Sequence, residues 1–201
     1  MNRSPPRSDS SAEGRDIDEQ DRALVARIAA GSEEAMTDLY ARHGRRIYAF
    51  ALSRLGDPVG ASDVVSETLV EVWRGAGRFA GRSRVTTWML GIARHKLVDE
   101  LRRRAARAHE ELDESLPDSA GADPGEALDG AGARARLRRC LERLGAAQRE
   151  AVHLAFFEDL SCAEIAEVAG IPVGTVKTRL FHARRWLRRC VEGGSGEGAD
   201  A

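Results

Sequence analysis

Residues 160–189 read LSCAEIAEVAGIPVGTVKTRLFHARRWLRR, and the spacing within this stretch decides the fold. Ser161 is placed to cap a helix, and Glu164 three positions on completes a capping box. Ile165, Ala166 and Val168 supply that helix's inner face, with Ala166 small where a second helix crosses closely. Gly170 can take the left-handed turn conformation. Pro172 suits the opening of the next helix, where its missing N–H leaves no bond unmade. Val176 and Leu180 then bury against the first helix. Thr175, Lys177, Thr178, Arg179, Phe181, His182, Arg184 and Arg185 are left for the outer and flanking faces. The pattern predicts a helix-turn-helix. A helix that displays Lys, Thr, Arg and His near its N-terminal half suits the DNA major groove. A structural hairpin with a basic exterior is the alternative, and the DNA-binding reading is preferred to it.

Outward from this motif the chain stays helical. Leu137, Leu141, Leu144, Val152, Leu154 and Phe156 extend the helical spacing back through residues 134–190. Before them lies AHEELDESLPDSAGADPGEALDGAGA, residues 108–133, acidic, broken by Pro117 and Pro124, and almost free of large apolar groups. Such a segment cannot bury enough surface to offset its ordering entropy, so it reads as a linker. From Asp21 to Arg107 helical periodicity returns through Leu24, Ile28, Met36, Leu39 and Tyr40, with Gly31-Ser32 as a stop and a new cap. Ile47, Phe50, Ala51 and Leu55 lead to the turn Gly56-Asp57-Pro58. The next helix, about 58–74, includes Val64, Val65, Leu69, Val72 and Trp73, and Gly75, Gly77 and Gly81 mark an open loop after it. A last helix over 85–107 ends in Arg102, Arg103, Arg104 and Arg107. No alternating β pattern of useful length occurs.

The expected fold class is therefore all-α: two small helical domains, 21–107 and 134–190, joined by the flexible acidic linker 108–133. Residues 1–20 are expected to be a disordered N-terminal extension and 191–201 a disordered tail.

The net charge of −1 conceals a division along the 201 residues. Residues 21–107 and 134–190 each carry +6, whereas the strap between them carries −8 with no Lys or Arg. Two basic blocks are the electrostatic footprint of a polyanion-binding surface. No apolar run approaches the roughly 20 residues needed to span a bilayer, so no membrane insertion is expected. The first residues lack the apolar stretch of a secretory signal. Cys140, Cys162 and Cys190 are odd in number and far apart, which argues against a disulfide framework and for the reducing cytoplasm. If Cys140 lies near Cys190 in space a redox switch is open to them, but three reduced thiols are expected. His43, His95, His109, His153 and His182 show no metal-ligand spacing with the cysteines. No Gly-rich loop follows a strand. The chain is expected to be no enzyme, with no cofactor and no metal.

Three motifs in order now resemble one family. DPVGASDVVSETLVEVWR, FAGRSRVTTWMLGIARHKLVDELRRR and EIAEVAGIPVGTVKTRLFHARRWLRR are similar to regions 2.2, 2.3–2.4 and 4.2 of bacterial RNA polymerase sigma factors of the extracytoplasmic-function group. The resemblance covers roughly residues 22–104 and 134–189. It implies that region 2.2 binds the clamp coiled coil of the polymerase largest subunit through Asp63, Glu67, Glu71 and Leu69. Asp63, Glu67 and Glu71 at i, i+4 and i+8 make one acidic edge of a helix, while Val64 and Trp73 are expected in the core.

The same resemblance implies that Arg82, Ser83 and Arg84, in a capture loop at about 81–85, hold the unpaired −10 strand together with Arg94, His95, Lys96, Arg102 and Arg103. Trp88 is expected to pack beside Ile92 rather than to stack a base. In region 4 the resemblance turns Lys177, Thr178, Phe181 and His182 toward −35 base edges, and Thr175, Arg179 and Arg184 toward phosphates. The acidic strap is expected to thread the polymerase cleft and not to be a passive tether. The sequence departs from the family at Ser66, often Gln; at His95, usually Asn; and at Cys162, often aromatic.

The function implied is that of a dissociable sigma factor. It would bind core RNA polymerase at the clamp and the flap, read −35 duplex and capture the melted −10 strand of promoter DNA. Control by an anti-sigma factor goes with it. A free-standing helix-turn-helix regulator is the alternative, and a two-bundle scaffold leaves the loop and the tryptophan helix unexplained.

Overall fold

Short-range chemistry starts the helices of the first half. The Asp57 carboxylate accepts from the backbone N–H groups of Val59 and Gly60, both at 3.0 Å, and Pro58 stands in the first turn, where no donor is wanted. Ser32 does the same one helix earlier, its Oγ accepting from the N–H of Ala35 at 3.2 Å. A computed structural model describes residues 8–111 and 129–192. Among these residues there are eight α-helices: α1 (Ser8–Ala29), α2 (Glu33–Leu55), α3 (Pro58–Gly75), α4 (Val85–Glu111), α5 (Asp129–Glu142), α6 (Ala146–Phe156), α7 (Cys162–Ala169) and α8 (Val173–Glu192). One 3-10 turn follows α3 at Ala76–Arg78, and no strand is present among the described residues. The all-α expectation agrees with this, and the chain divides into two compact units between Arg102 and Arg103.

The core of the first unit is aliphatic. Leu24, Val25 and Ile28 of α1, Leu39, Ile47 and Phe50 of α2, Val64, Val65 and Val72 of α3, and Val85, Met89, Leu90 and Leu97 of α4 are all buried. Burying a side chain of this size contributes about 1.5–3 kcal/mol relative to leaving it in water. One polar knot is buried with them. The Asp21 carboxylate of α1 accepts from His43 Nε2 at 2.7 Å and from Arg42 Nη1 at 3.1 Å on α2. A buried carboxylate without partners is costly, so this knot fixes how α1 lies along α2.

Residues 8–20 belong to α1 and not to a disordered extension. This stretch has no apolar stripe, so periodicity could not reveal it. Within it, Asp18 Oδ1 accepts from the N–H of the distant Val85 at 2.9 Å. The linker expectation is also narrowed. α4 runs on to Glu111, because Ala105, Ala106, Ala108, Glu110 and Glu111 are good helix formers, and α5 begins at Asp129. The remainder of the strap, 112–128, lies outside the described residues, as does most of the expected tail, 193–201.

In the second unit α8 packs against α5, α6 and α7. Cys140, Leu144, Leu154, Leu160, Ile165, Val168, Val176 and Leu180 are buried there. Cys140 of α5 and Cys190 of α8 form a disulfide, their Cα atoms 6.0 Å apart. The expectation of three reduced thiols is thereby corrected, and Cys162 alone is free. The two partners stand 50 residues apart; only the packing of the first helix of the unit on the last brings them together.

Candidate nucleic-acid interface

The capping box at the start of α7 is complete. The N–H of Glu164 donates to Ser161 Oγ at 3.3 Å, and the N–H of Ser161 donates to Glu164 Oε2 at 2.9 Å. Gly170 ends α7 at φ +65°, a conformation strained for any residue with a Cβ. The Pro172 carbonyl then accepts from Thr175 and Val176 at 2.9 and 3.3 Å, which opens α8.

Along α8, Val176, Leu180 and Ala183 are buried, and the opposite face is left for a ligand. Lys177, Thr178, Phe181, His182 and Arg184 are exposed, while Thr175 and Arg179 are half-buried. Phe181 is 61% exposed although it is large and apolar. Its ring meets His182 edge-on, with centroids 5.5 Å apart. Thr178 Oγ1 donates to the Gly174 carbonyl at 3.0 Å, which orients its lone pairs. The Arg184 guanidinium lies 5.3 Å over the Phe156 ring. Beside this face is an open hollow of about 630 Å³, bordered by Cys162, Lys177, Phe181, Arg184 and Arg188 among others. The structure thus brings the seven expected −35 residues onto one helix, four of them on its outer edge at i, i+1, i+4 and i+5.

In the first unit Arg82 and His95 are exposed, and Ser83, Arg84, Arg94 and Lys96 are half-buried. Arg102 and Arg103 are exposed further along α4, Arg102 within 3.8 Å of Asp99. At 1.5 Å per residue the helix runs roughly 26 Å from Val85 to Arg102, where the first unit ends. The groups on α4 are spread along it and, since Arg94, His95 and Lys96 are consecutive, around it as well, with Lys96 turned to Glu71 of α3.

Asp63, Glu67 and Glu71 line one edge of α3, with Asp63 exposed and Glu67, Glu71 and Leu69 half-buried. The edge does not stay wholly acidic. Lys96 Nζ of α4 donates to Glu71 Oε1 at 3.1 Å, and Arg74 approaches the same oxygen at 3.6 Å. The hydrogen bond from Lys96, then its charge, hold the Glu71 carboxyl below its ordinary range against the opposing effect of desolvation, with Arg74 and Arg78 adding lesser lowering. A group expected to face polymerase is therefore paired with one expected to face DNA.

Trp73 corrects the expectation that it joins Val64 in the core. Val64 is 2% exposed, but Trp73 is 40% exposed and its neighbour Val70 47%. The inward stripe of α3 is Ala61, Val64, Val65, Thr68 and Val72, and Trp73 falls one position past it, about 100° around the helix. Trp88 is half-buried, its ring 4.7 Å from Phe79 and its edge against Gly75. It is packed within the fold. Two residues that sequence reasoning missed, Asp18 and Arg22, bind the loop before α4; their partners lie 59 to 67 residues away, with no local signal to mark them.

Residues 39–107 match Sigma-70 region 2, and residues 134–187 match Sigma-70, region 4. The chain is 33% identical over 180 residues to the ECF RNA polymerase sigma factor SigL of Mycobacterium tuberculosis (strain ATCC 25618 / H37Rv), a match covering 85% of this chain and 96% of that protein. It is 28% identical over 177 residues to the ECF RNA polymerase sigma factor SigK of Mycobacterium bovis (strain BCG / Pasteur 1173P2), over 85% and 92% of the two chains. Among solved structures it resembles CnrH, determined in complex with the cytosolic domain of CnrY, with a TM-score of 0.63 and 28% identity over 87% of this chain and 99% of that one. It resembles equally the sigma factor RpoE in complex with the anti-sigma factor NepR from Bartonella quintana, with a TM-score of 0.63 and 25% identity over 79% and 98%.

Proposed function

The chain belongs to the ECF RNA polymerase sigma factor family, and from that premise we propose how its own residues divide the work of promoter recognition. Lys177, Thr178, Phe181 and His182 of α8 read base edges of the −35 duplex, and Thr175, Arg179 and Arg184 hold its phosphates. A base contact discriminates by roughly 1–3 kcal/mol, whereas a phosphate contact adds affinity without sequence information. Arg82, Ser83 and Arg84 of the loop, with Arg94, His95, Lys96, Arg102 and Arg103 of α4, capture the non-template −10 strand once it is unpaired. A groove that holds phosphates and an unstacked base favours separated strands over duplex. Asp63, Glu67, Leu69 and Glu71 of α3 dock on the basic clamp coiled coil of core polymerase, and the exposed Trp73 and Val70 lie on the same helix.

The observation that carries this division is the outer edge of α8. Lys177, Thr178, Phe181 and His182, suited to base edges, stand exposed with Arg184, suited to phosphate, on a helix whose inner stripe of Val176, Leu180 and Ala183 is apolar and buried. The protein acts by binding alone and works beside polymerase in the cytoplasm. An anti-sigma partner is part of the proposal, since RpoE of Bartonella quintana is seen with the anti-sigma factor NepR.

The test is transcription in vitro with core polymerase on a pool of promoter fragments, with and without the protein. Initiation at defined start sites that depends on the protein is the expected result, and aligning those sites yields the −35 and −10 elements. Duplex binding without initiation and without association with core would overturn it in favour of a free-standing regulator.

A further inference from the structure

The segment between the 3-10 turn and α4, residues 79–84, has little to hold it from within. Phe79 closes the turn through the Ala76 carbonyl, and the Arg84 carbonyl accepts from Trp88 as α4 begins. Between them the backbone is held by α1. Arg22 Nη1 donates to the Gly81 carbonyl at 2.9 Å and Nη2 donates to the Ser83 carbonyl at 3.1 Å. Arg22 Nε donates to Asp18 Oδ2 at 2.7 Å, and Asp18 Oδ1 accepts from the N–H of Val85, the first residue of α4, at 2.9 Å. The same guanidinium lies 5.9 Å over the Phe79 ring. One planar fork thus grips two carbonyls, a carboxylate and an aromatic face.

Gly81 shows that the loop is shaped around this grip. Its φ is +66°, and a Cβ placed there would stand 2.6 Å from Arg22 Nη1. Any side chain at 81 would meet both backbone strain and the guanidinium. Because each peptide is planar and trans, turning the Gly81 carbonyl toward α1 turns the N–H of Arg82 the opposite way. The grip therefore sets which side of the loop presents donors and the exposed Arg82 side chain.

We propose that Asp18 and Arg22 are positioning residues for capture of the −10 strand, holding loop 79–84 in the shape that receives an unpaired nucleotide before any strand arrives. The inference rests on the assignment of Arg82, Ser83 and Arg84 to −10 capture made above. A preset loop loses little conformational freedom on binding, so the grip acts on affinity and base preference without touching the strand. Arg22 is suited to this role and lysine is not: a single ammonium cannot span two carbonyls and a carboxylate in one plane.

The experiment uses the full chain bound to core polymerase, with R22A, R22K, D18N and R82A compared on a −10 single-stranded oligonucleotide drawn from a start site found in the transcription assay. R22A and D18N are expected to weaken strand binding about tenfold and to flatten the preference among oligonucleotides varied at each −10 base. R22K is expected to fall between R22A and the parent. Affinity for core polymerase and for −35 duplex stays unchanged, and amide exchange of residues 79–85 rises in R22A. If R82A weakens strand binding while R22A and D18N bind as the parent does, with the same base preference, the positioning role is overturned. If R82A too leaves strand binding untouched, the capture-loop assignment itself falls and the positioning role falls with it. Loss of core affinity in R22A together with R22K would also overturn it, because the grip would then merely support the fold.

Discussion

Side chains on α8 differ in what they touch, and that difference is measurable. Lys177 is exposed on the outer edge, whereas Arg184 is steadied over Phe156. Lys177→Ala is expected to cost about 1–3 kcal/mol on the native −35 element and to relax base preference at one position. Arg184→Ala is expected to weaken all duplexes alike and to lower the slope of log affinity against log salt by about one; titrations at several salt concentrations separate the two. On α3, the pairing of Glu71 with Lys96 makes a pH prediction. The folded-state carboxyl is held below the ordinary value of 4.5. Its stabilising effect is thus fully present above that value and is lost as pH falls through the lowered one. The melting-temperature difference between the parent and Glu71→Gln should stay constant at neutral pH and shrink only below about 4.5. A difference that shrinks already between pH 7 and 5 would show that the pair is not its source.

Among the helices, α5 and α8 are joined most firmly, since the Cys140–Cys190 bond closes a segment of 50 residues. In the chain-entropy picture, closing a loop of this length stabilises by about 4 kcal/mol through the unfolded state. Reduction, or Cys140→Ser, should therefore lower the melting temperature of the second unit and leave that of the first unchanged. Thermal melts with and without a thiol reductant, followed by amide exchange in each unit, check this. Equal melting in both states would mean that buried side chains alone, among them Leu144, Leu154 and Val176, hold the two helices together. The start of α7 was fully legible beforehand: Ser161, Glu164 and Gly170 act within one turn of the backbone they cap. The start of α4 at Val85 was legible too, but not what caps it, because the group binding its first N–H is Asp18, 67 residues earlier.

Over the whole chain, the proposed −35 residues lie in the second unit and the proposed −10 residues, Arg103 apart, in the first, with opposite charge between the two blocks in the sequence. A promoter fragment carrying both a −35 duplex and an unpaired −10 strand turns the second contact into an intramolecular one. With core polymerase present, the joined fragment should bind 10²–10⁴-fold more tightly than the better of its two halves offered separately. Equal affinity for the joined fragment and for the better half would mean that the units do not engage together. Membership in the family was legible in the order of three motifs, each built from local spacing. Which residues of α8 stand outward was legible in the sequence because a single helix with one buried stripe carries them all.

The sequence by itself determined the all-α class, the helix-turn-helix, the alternation of charge and those helix ends that carry a local cap or turn, as at Ser32, Asp57, Ser161 and Gly170, since caps, left-handed glycines and apolar periods act within a few residues. Only the tertiary structure decided the Cys140–Cys190 bond, the exposure of Trp73, the Glu71–Lys96 pair and the grip of Arg22 on the loop at Gly81 and Ser83. Each depends on the angle and register at which one helix meets another, and neither is written in the spacing of the residues that meet.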